Sequence, residues 1–295
     1  MNKIKLCLGS LLVVVGFNAH GQIFVGSMSL SHVGAYNLDG TPINTALFGG
    51  GNPWGATTDG NGHLFWAMEG NRTVGEYTTS GTVVNASLIS VRGDPEGVAL
   101  DGSGHLFVLD TLLHTVGEYN LDGSAVNASL ITGVPGGGFG SLACDGNGHL
   151  FVANSGSGSI AEYTTSGTLL NASLISAGDV YSMFCDGSGH LFITRDGLIG
   201  EYTTSGAIVN ASLISGGDSR QFGIAVDGSG HIFVSNFDYG TISEYTTAGA
   251  TINASLVAGL SEPMGLVVVP EPSAVCLILL GSCSLWSLRW RKRTA

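Results

Sequence analysis

Between residues 22 and 270 this 295-residue chain has no lysine, and its cations there are four arginines, Arg72, Arg92, Arg195 and Arg220. The same span holds 21 acidic residues, so its formal charge is −17. Such a surface repels phosphate backbones, and without a basic patch nucleic acid is not an expected partner. Cysteine is also scarce. Cys144 and Cys185 stand in this span, each just before the Asp of one repeated motif. Equivalent places on neighbouring sheets lie about 10 Å apart, beyond the ~7 Å that a disulfide allows between Cα atoms, so two buried free thiols are expected. No stretch of the span has helical periodicity, which excludes helix-bearing α/β architectures.

The missing cations are at the two ends. Lys3 and Lys5 precede an apolar run from Leu6 to Phe17, and Ala19-His20-Gly21 puts small residues before a cleavage point at Gln22. This is the layout of a secretory signal peptide over residues 1–21, with a retained membrane anchor as the alternative. At the other end Val269-Pro270-Glu271-Pro272 leads into an apolar stretch from Ser273 to Leu288 and then Arg289, Arg291, Lys292 and Arg293. The stretch is somewhat short of the ~20 residues of a free-standing transmembrane helix, and its basic end should stay cytoplasmic. Pro-Glu-Pro, apolar segment and basic tail over residues 270–295 together resemble a PEP-CTERM sorting signal. The resemblance implies an exosortase-type processing protease as partner, transient membrane anchoring, and delivery to the cell surface or extracellular matrix of a Gram-negative-type bacterium. A plain C-terminal anchor is the alternative.

What fills the middle is repetition. Asp-Gly-Asn/Ser-Gly-His begins at Asp59, Asp101, Asp145, Asp186 and Asp227, a spacing of 41 to 44 residues. Glu-Tyr, preceded by a small residue, ends at Tyr77, Tyr119, Tyr163, Tyr202 and Tyr245, and Asn-Ala-Ser-Leu starts at Asn85, Asn127, Asn171, Asn210 and Asn253. Weaker sixth copies of the last two stand at Tyr36 and Asn44. Within a unit, Glu96–Asp101, His105–Asp110, Thr115–Tyr119 and Ala125–Ile131 read as short strands with turn glycines between them. Periods of this length with four strands per unit predict a propeller blade. The domain starts as if on a second strand, at Gln22-Ile-Phe-Val, and ends on a first strand, Met264–Val268. Joining the two completes a blade, hides both edges, and gives an all-β, six-bladed β-propeller of four-stranded antiparallel blades over residues 22–269. The unit resembles the NHL repeat, which also pairs a Gly-bearing apolar strand, an Asp-Gly hairpin and an aromatic-Val strand. Members of that family include recognition modules, lyases and scaffolds, so the resemblance implies a fold and no single activity.

The recurring His63, His105, His149, His190 and His231 suggest metal ligands at first, yet blade-related side chains stand too far apart around a ring to share an ion. A hairpin-closing role is expected of them. Asp-Gly-Ser-Gly-His lacks the acidic positions of a calcium loop, with Leu112 where the closing Glu would stand. The Asn-Ala-Ser triplets are formal glycosylation sequons. Asn and Ser are expected to hydrogen-bond near a strand end instead.

Catalysis and binding need different residues converging on one point, so function belongs where the copies differ. The variable openings of the first strands are Trp54, Glu96, Tyr181, Phe222 and Met264; the variable loops after the second strands bring Glu69, Arg72, Asp110, His114, Asn154, Arg195, Asp196, Asn236, Asp238 and Tyr239. Trp54, Glu96, Asp110, Asn154, Tyr181, Phe222 and Asn236 form the candidate ligand-binding rim, suited to a polysaccharide, a peptide, a small polar ligand or an envelope protein. No catalytic residue, metal or cofactor is expected. The alternative is a metal-dependent lactonase- or lyase-like enzyme using Asp110, Asn154, Asn236 and Glu69.

Overall fold

Turn glycines every ten residues or so and strands of period two produce antiparallel hairpins, and a computed structural model shows how these assemble; it describes residues 21–134, 139–154 and 158–270. Six four-stranded antiparallel sheets form a ring. Blade 1 comprises Pro53–Thr58, His63–Met68, Thr73–Thr78 and Val83–Ser90, and blade 2 Pro95–Leu100, His105–Asp110, Thr115–Asn120 and Ala125–Thr132. Blades 3, 4 and 5 open at Leu142, Ser182 and Gly223 and close at Ser176, Ser215 and Ala258. Blade 6 joins the two ends of the domain: Pro263–Val269 is its inner strand, followed outward by Gln22–Ser27, His32–Asn37 and Pro42–Gly49. The closing register pairs Gln22 with Val269, Ile23 with Val268 and Phe24 with Val267. Segments 1–20 and 271–295, with the proposed signal peptide and sorting tail, lie outside the described residues. Among the described residues no helix is long and apolar enough to cross a membrane.

The core is divided six ways. One apolar cluster lies between each pair of neighbouring blades, from Phe65, Val74 and Leu106 between blades 1 and 2 round to Phe24, Trp66 and Tyr77 between blades 6 and 1. Each second strand puts one phenylalanine into this system, Phe24, Phe65, Phe107, Phe151, Phe192 and Phe233, all fully buried. Burying a side chain of this size contributes about 2 kcal/mol or more, which explains why the aromatic position recurs in every blade.

Each repeated motif has a local physical reason. In the hairpin of blade 2, Asp101 Oδ1 accepts the Ser103 and His105 amides at 2.8 and 3.0 Å, and Oδ2 lies 3.1 Å from His105 Nδ1. Gly102 and Gly104 hold φ of 77° and 101°, a conformation that disfavours any side chain. His105, His149, His190 and His231 stand over the Asp of their own hairpin and the Glu of the adjoining third strand, as His231 does between Asp227 and Glu244, while the His63 ring pairs with Glu76 and its amide with Asp59. The small residue before Glu-Tyr is needed because the tyrosine folds back over it: a Cβ on Gly75 would lie 2.5 Å from the Tyr77 hydroxyl.

Asn-Ala-Ser-Leu is explained by a bulge and a clasp. Register shifts interrupt every pairing of third with fourth strand, and in each the Asn side chain accepts the amide two residues on, as Asn127 Oδ1 does from Ser129 at 3.1 Å. The Leu then meets the turn glycine of the next blade. A Cβ on Gly123 would lie 2.1 Å from the Leu88 carbonyl, and equivalent pairs run round the ring to Gly40 against Leu256 and Gly81 against Leu47.

Candidate functional site

Consecutive inner strands touch all the way round and enclose a channel of about 220 Å³. They approach closely because a small residue stands at the second place of each opening: Gly55, Gly97, Ser141, Ser182, Gly223 and Gly265. A Cβ on Gly265 would lie 1.7 Å from the Trp54 carbonyl oxygen, and one on Gly55 2.2 Å from that of Glu96. Ser141 uses its hydroxyl across the same gap, accepting the Met183 amide at 3.0 Å.

At one end of the channel the strand openings converge. Trp54 and Phe222 have ring centroids 5.7 Å apart, Tyr181 and Phe222 5.4 Å, in edge-to-face geometry. Phe139 inserts among them, 5.6 Å from Trp54, 5.6 Å from Tyr181 and 4.6 Å from Phe222. Phe237 extends the group outward, 5.2 Å from Phe222, under the Arg220 guanidinium at 4.3 Å. Each such pair adds about 1 kcal/mol beyond area burial, so the rings form a rigid patch across the mouth. Phe222 is buried while Trp54, Phe139, Tyr181 and Phe237 keep partly exposed faces.

Acidic groups hold this patch in place. Glu69 accepts the Trp54 indole N–H at 2.9 Å, and the Tyr181 hydroxyl donates to Asp196 at 3.2 Å. Arg220 pairs with Asp238, its Nε at 3.0 Å, and holds that carboxyl down at about 2. Glu96 lies on the channel wall with Oε2 accepting the Gly140 amide at 2.7 Å and Oε1 the Thr111 hydroxyl at 2.9 Å. Burial, and then the nearby charges of Glu69 and Asp94, push its pKa up from 4.5 to about 7.

Against solved structures the chain is similar to a chain of a nidogen/laminin complex, with 12% identity, a TM-score of 0.70, and coverage of 85% of this chain and 99% of that one. A protein of unknown function from Bacteroides caccae aligns at 16% identity and a TM-score of 0.64, covering 85% and 100%. Virginiamycin B lyase from Staphylococcus aureus, a catalytically inactive form with quinupristin, aligns at 16% identity and a TM-score of 0.57, covering 84% and 89%. These likenesses establish a shared propeller fold. No family model matches the chain, and no curated protein matches it in sequence.

Of the residues expected at the rim, Trp54, Glu96, Tyr181 and Phe222 come together, and all four line the channel. Asp110 and Asn236 do not join them. Asp110 is buried and accepts the amides of Gly93, Asp94 and Leu113 at 2.9 to 3.1 Å, fastening the loop before its own blade. Asn236 is buried too, its Nδ2 donating to Thr241 and Ser243 at 3.1 and 2.7 Å. Asn154 ends a second strand, and its side chain lies outside the described residues, as do Glu271 and Pro272 of the sorting motif. Pro270 is exposed at the end of the last strand.

Sequence reasoning missed Phe139 and Phe237. Phe139 had a signal in the spacing: the interval from Asp101 to Asp145, in which it stands, is 44 residues where the next two are 41. Cys144 and Cys185 are free and half-buried on the inner strands. Burial, then neighbouring carboxylates, raises both thiols, Cys185 to about 12.

Proposed function

We propose that this protein is a non-catalytic binding propeller that captures its ligand on the aromatic patch at the channel mouth. One observation carries the reading: aromatic residues that break an otherwise close repeat converge, as Trp54, Tyr181 and Phe222 do with Phe139. Partly exposed aromatic faces beside carboxylates suit pyranose rings, whose C–H faces stack on aromatics while their hydroxyls donate to Glu69 or Asp196. A polysaccharide or another envelope component is therefore the ligand class. The signal-peptide-like start and the PEP-CTERM-like tail support export to the cell surface or matrix, with an exosortase-type protease acting on Pro270-Glu271-Pro272.

The test is a glycan-array and calorimetric comparison of the wild type with Trp54→Ala/Tyr181→Ala. Loss of binding by tenfold or more, with the melting transition retained, is the expected result; unchanged binding by the double variant would discard the patch.

The enzyme reading has one observation in its favour, the Glu96 carboxyl titrating near neutrality beside aromatic rings. Both its oxygens accept hydrogen bonds from the protein. The metal set proposed for that reading is otherwise engaged: Asp110 and Asn236 serve their own loops, and Glu69 holds Trp54. Lactone hydrolysis by the wild type that Glu96→Gln abolishes would restore it.

A further inference from the structure

The outermost strands of the six blades, Pro42–Gly49, Val83–Ser90, Ala125–Thr132, Leu169–Ser176, Ile208–Ser215 and Thr251–Ala258, contain no charged residue. All 21 acidic residues of the −17 domain stand elsewhere. These same strands are the free edges of their sheets. At their starts they expose apolar side chains, Val83, Val84, Leu169, Leu170, Ile208 and Val209 among them, each between 49% and 68% exposed. Successive residues of a strand point to opposite faces, so both faces are uncovered over the first half of each edge, before the Leu and the residue after it turn into the core. Soluble proteins ordinarily guard a free edge with lysine or another charge, and none is used here.

We infer that this circumferential belt is a lateral contact surface for further copies of the same chain, so that the propeller assembles rim to rim. Two features select a second copy as the occupant. The first is charge: like-charged molecules approach at least cost where charge is absent, and the belt is neutral while the rest of the domain carries −17. The second is self-complementarity. Val84-Asn-Ala-Ser-Leu-Ile, Leu170-Asn-Ala-Ser-Leu-Ile and Val209-Asn-Ala-Ser-Leu-Ile are nearly the same peptide. Two of them placed antiparallel across a two-fold axis therefore present matching apolar patches to each other. The contact is made by side chains. The bulge in every outer strand and the Asn side chain that takes an amide beyond it interrupt the row of backbone groups that a continuous ladder would need. That limits runaway cross-β growth while leaving the apolar contact, and sites on several blades make the assembly multivalent.

The domain can be tested alone, because Gln22–Pro270 contains all six core clusters and the strand pair that closes the ring. Sedimentation velocity of residues 22–270 should show a weight-average coefficient that rises with protein concentration. It should rise further with added salt, because screening weakens the repulsion, whereas an ion-paired interface would weaken. Val84→Thr/Leu170→Thr/Val209→Thr keeps strand-forming residues and should raise the apparent dissociation constant at least tenfold with the melting temperature held. Val84→Glu/Leu170→Glu/Val209→Glu should be monomeric throughout. Trp54→Ala/Tyr181→Ala should assemble as the wild type does. A wild type that stays monomeric at every concentration and salt, or assembly that both triple variants leave intact, would overturn the inference.

Discussion

At Glu96 burial opposes ionisation, and the consequence for stability has a definite sign. The folded carboxyl titrates at about 7 against 4.5 ordinarily, so between these values the folded state binds more protons than the unfolded chain. Stability is therefore fully supported below pH 4.5 and declines as pH rises to 7, by an amount on the order of 3 kcal/mol. Urea melts of wild type and Glu96→Gln across pH 4 to 8 should show the wild type losing ground to the variant over that window; parallel curves would contradict the assignment. The two thiols give a second measurement at this scale. With both raised by burial, native protein should react with a disulfide reagent at pH 7.5 at least tenfold more slowly than protein in denaturant. Trp54, Tyr181 and Phe222 were legible in the sequence because they break a repeat. Asp110 and Asn236 looked equally exceptional, and their role was hidden because the partners of Asp110 include amides 16 and 17 residues away.

Among the elements, the inner strands are the least tolerant of added volume. A methyl group on Gly265 meets the Trp54 carbonyl at 1.7 Å, and backbone cannot swing aside as a side chain does. Gly265→Ala should cost about 3 kcal/mol in chemical denaturation and disturb the Trp54 environment, read by its fluorescence. Gly102→Ala, whose Cβ would meet no atom within 4 Å, should cost only the strain of a positive φ, about 1 kcal/mol. Every strand of the second blade was readable to within about a residue, since turn chemistry and period-two alternation are local. The bulge in the outer strands was not, because its sign is a register shift against a neighbour.

For the whole molecule, ring closure is the decisive feature. Deleting residues 263–270 would remove the inner strand of blade 6 and expose Ile23, Phe24 and Val25, all buried in the closed ring. Loss of Met264, Leu266, Val267 and Val268 from the core alone removes about 8 kcal/mol, comparable to the whole stability of an ordinary domain. The truncated chain should show no cooperative melt by circular dichroism and should elute as aggregate.

The sequence by itself determined the blade, the blade count and the ring, because turn glycines, strand alternation and an unpaired strand at each end are properties of the chain read in order. The tertiary structure alone decided which unusual residues share a site. Phe139 joins Trp54 because the inner strands point their openings at one axis, Phe237 reaches Phe222 from the loop after a second strand, and Asp110 leaves the group because its carboxylate is taken by amides of an adjacent loop. Convergence of that kind depends on distances across the ring, which no local pattern encodes.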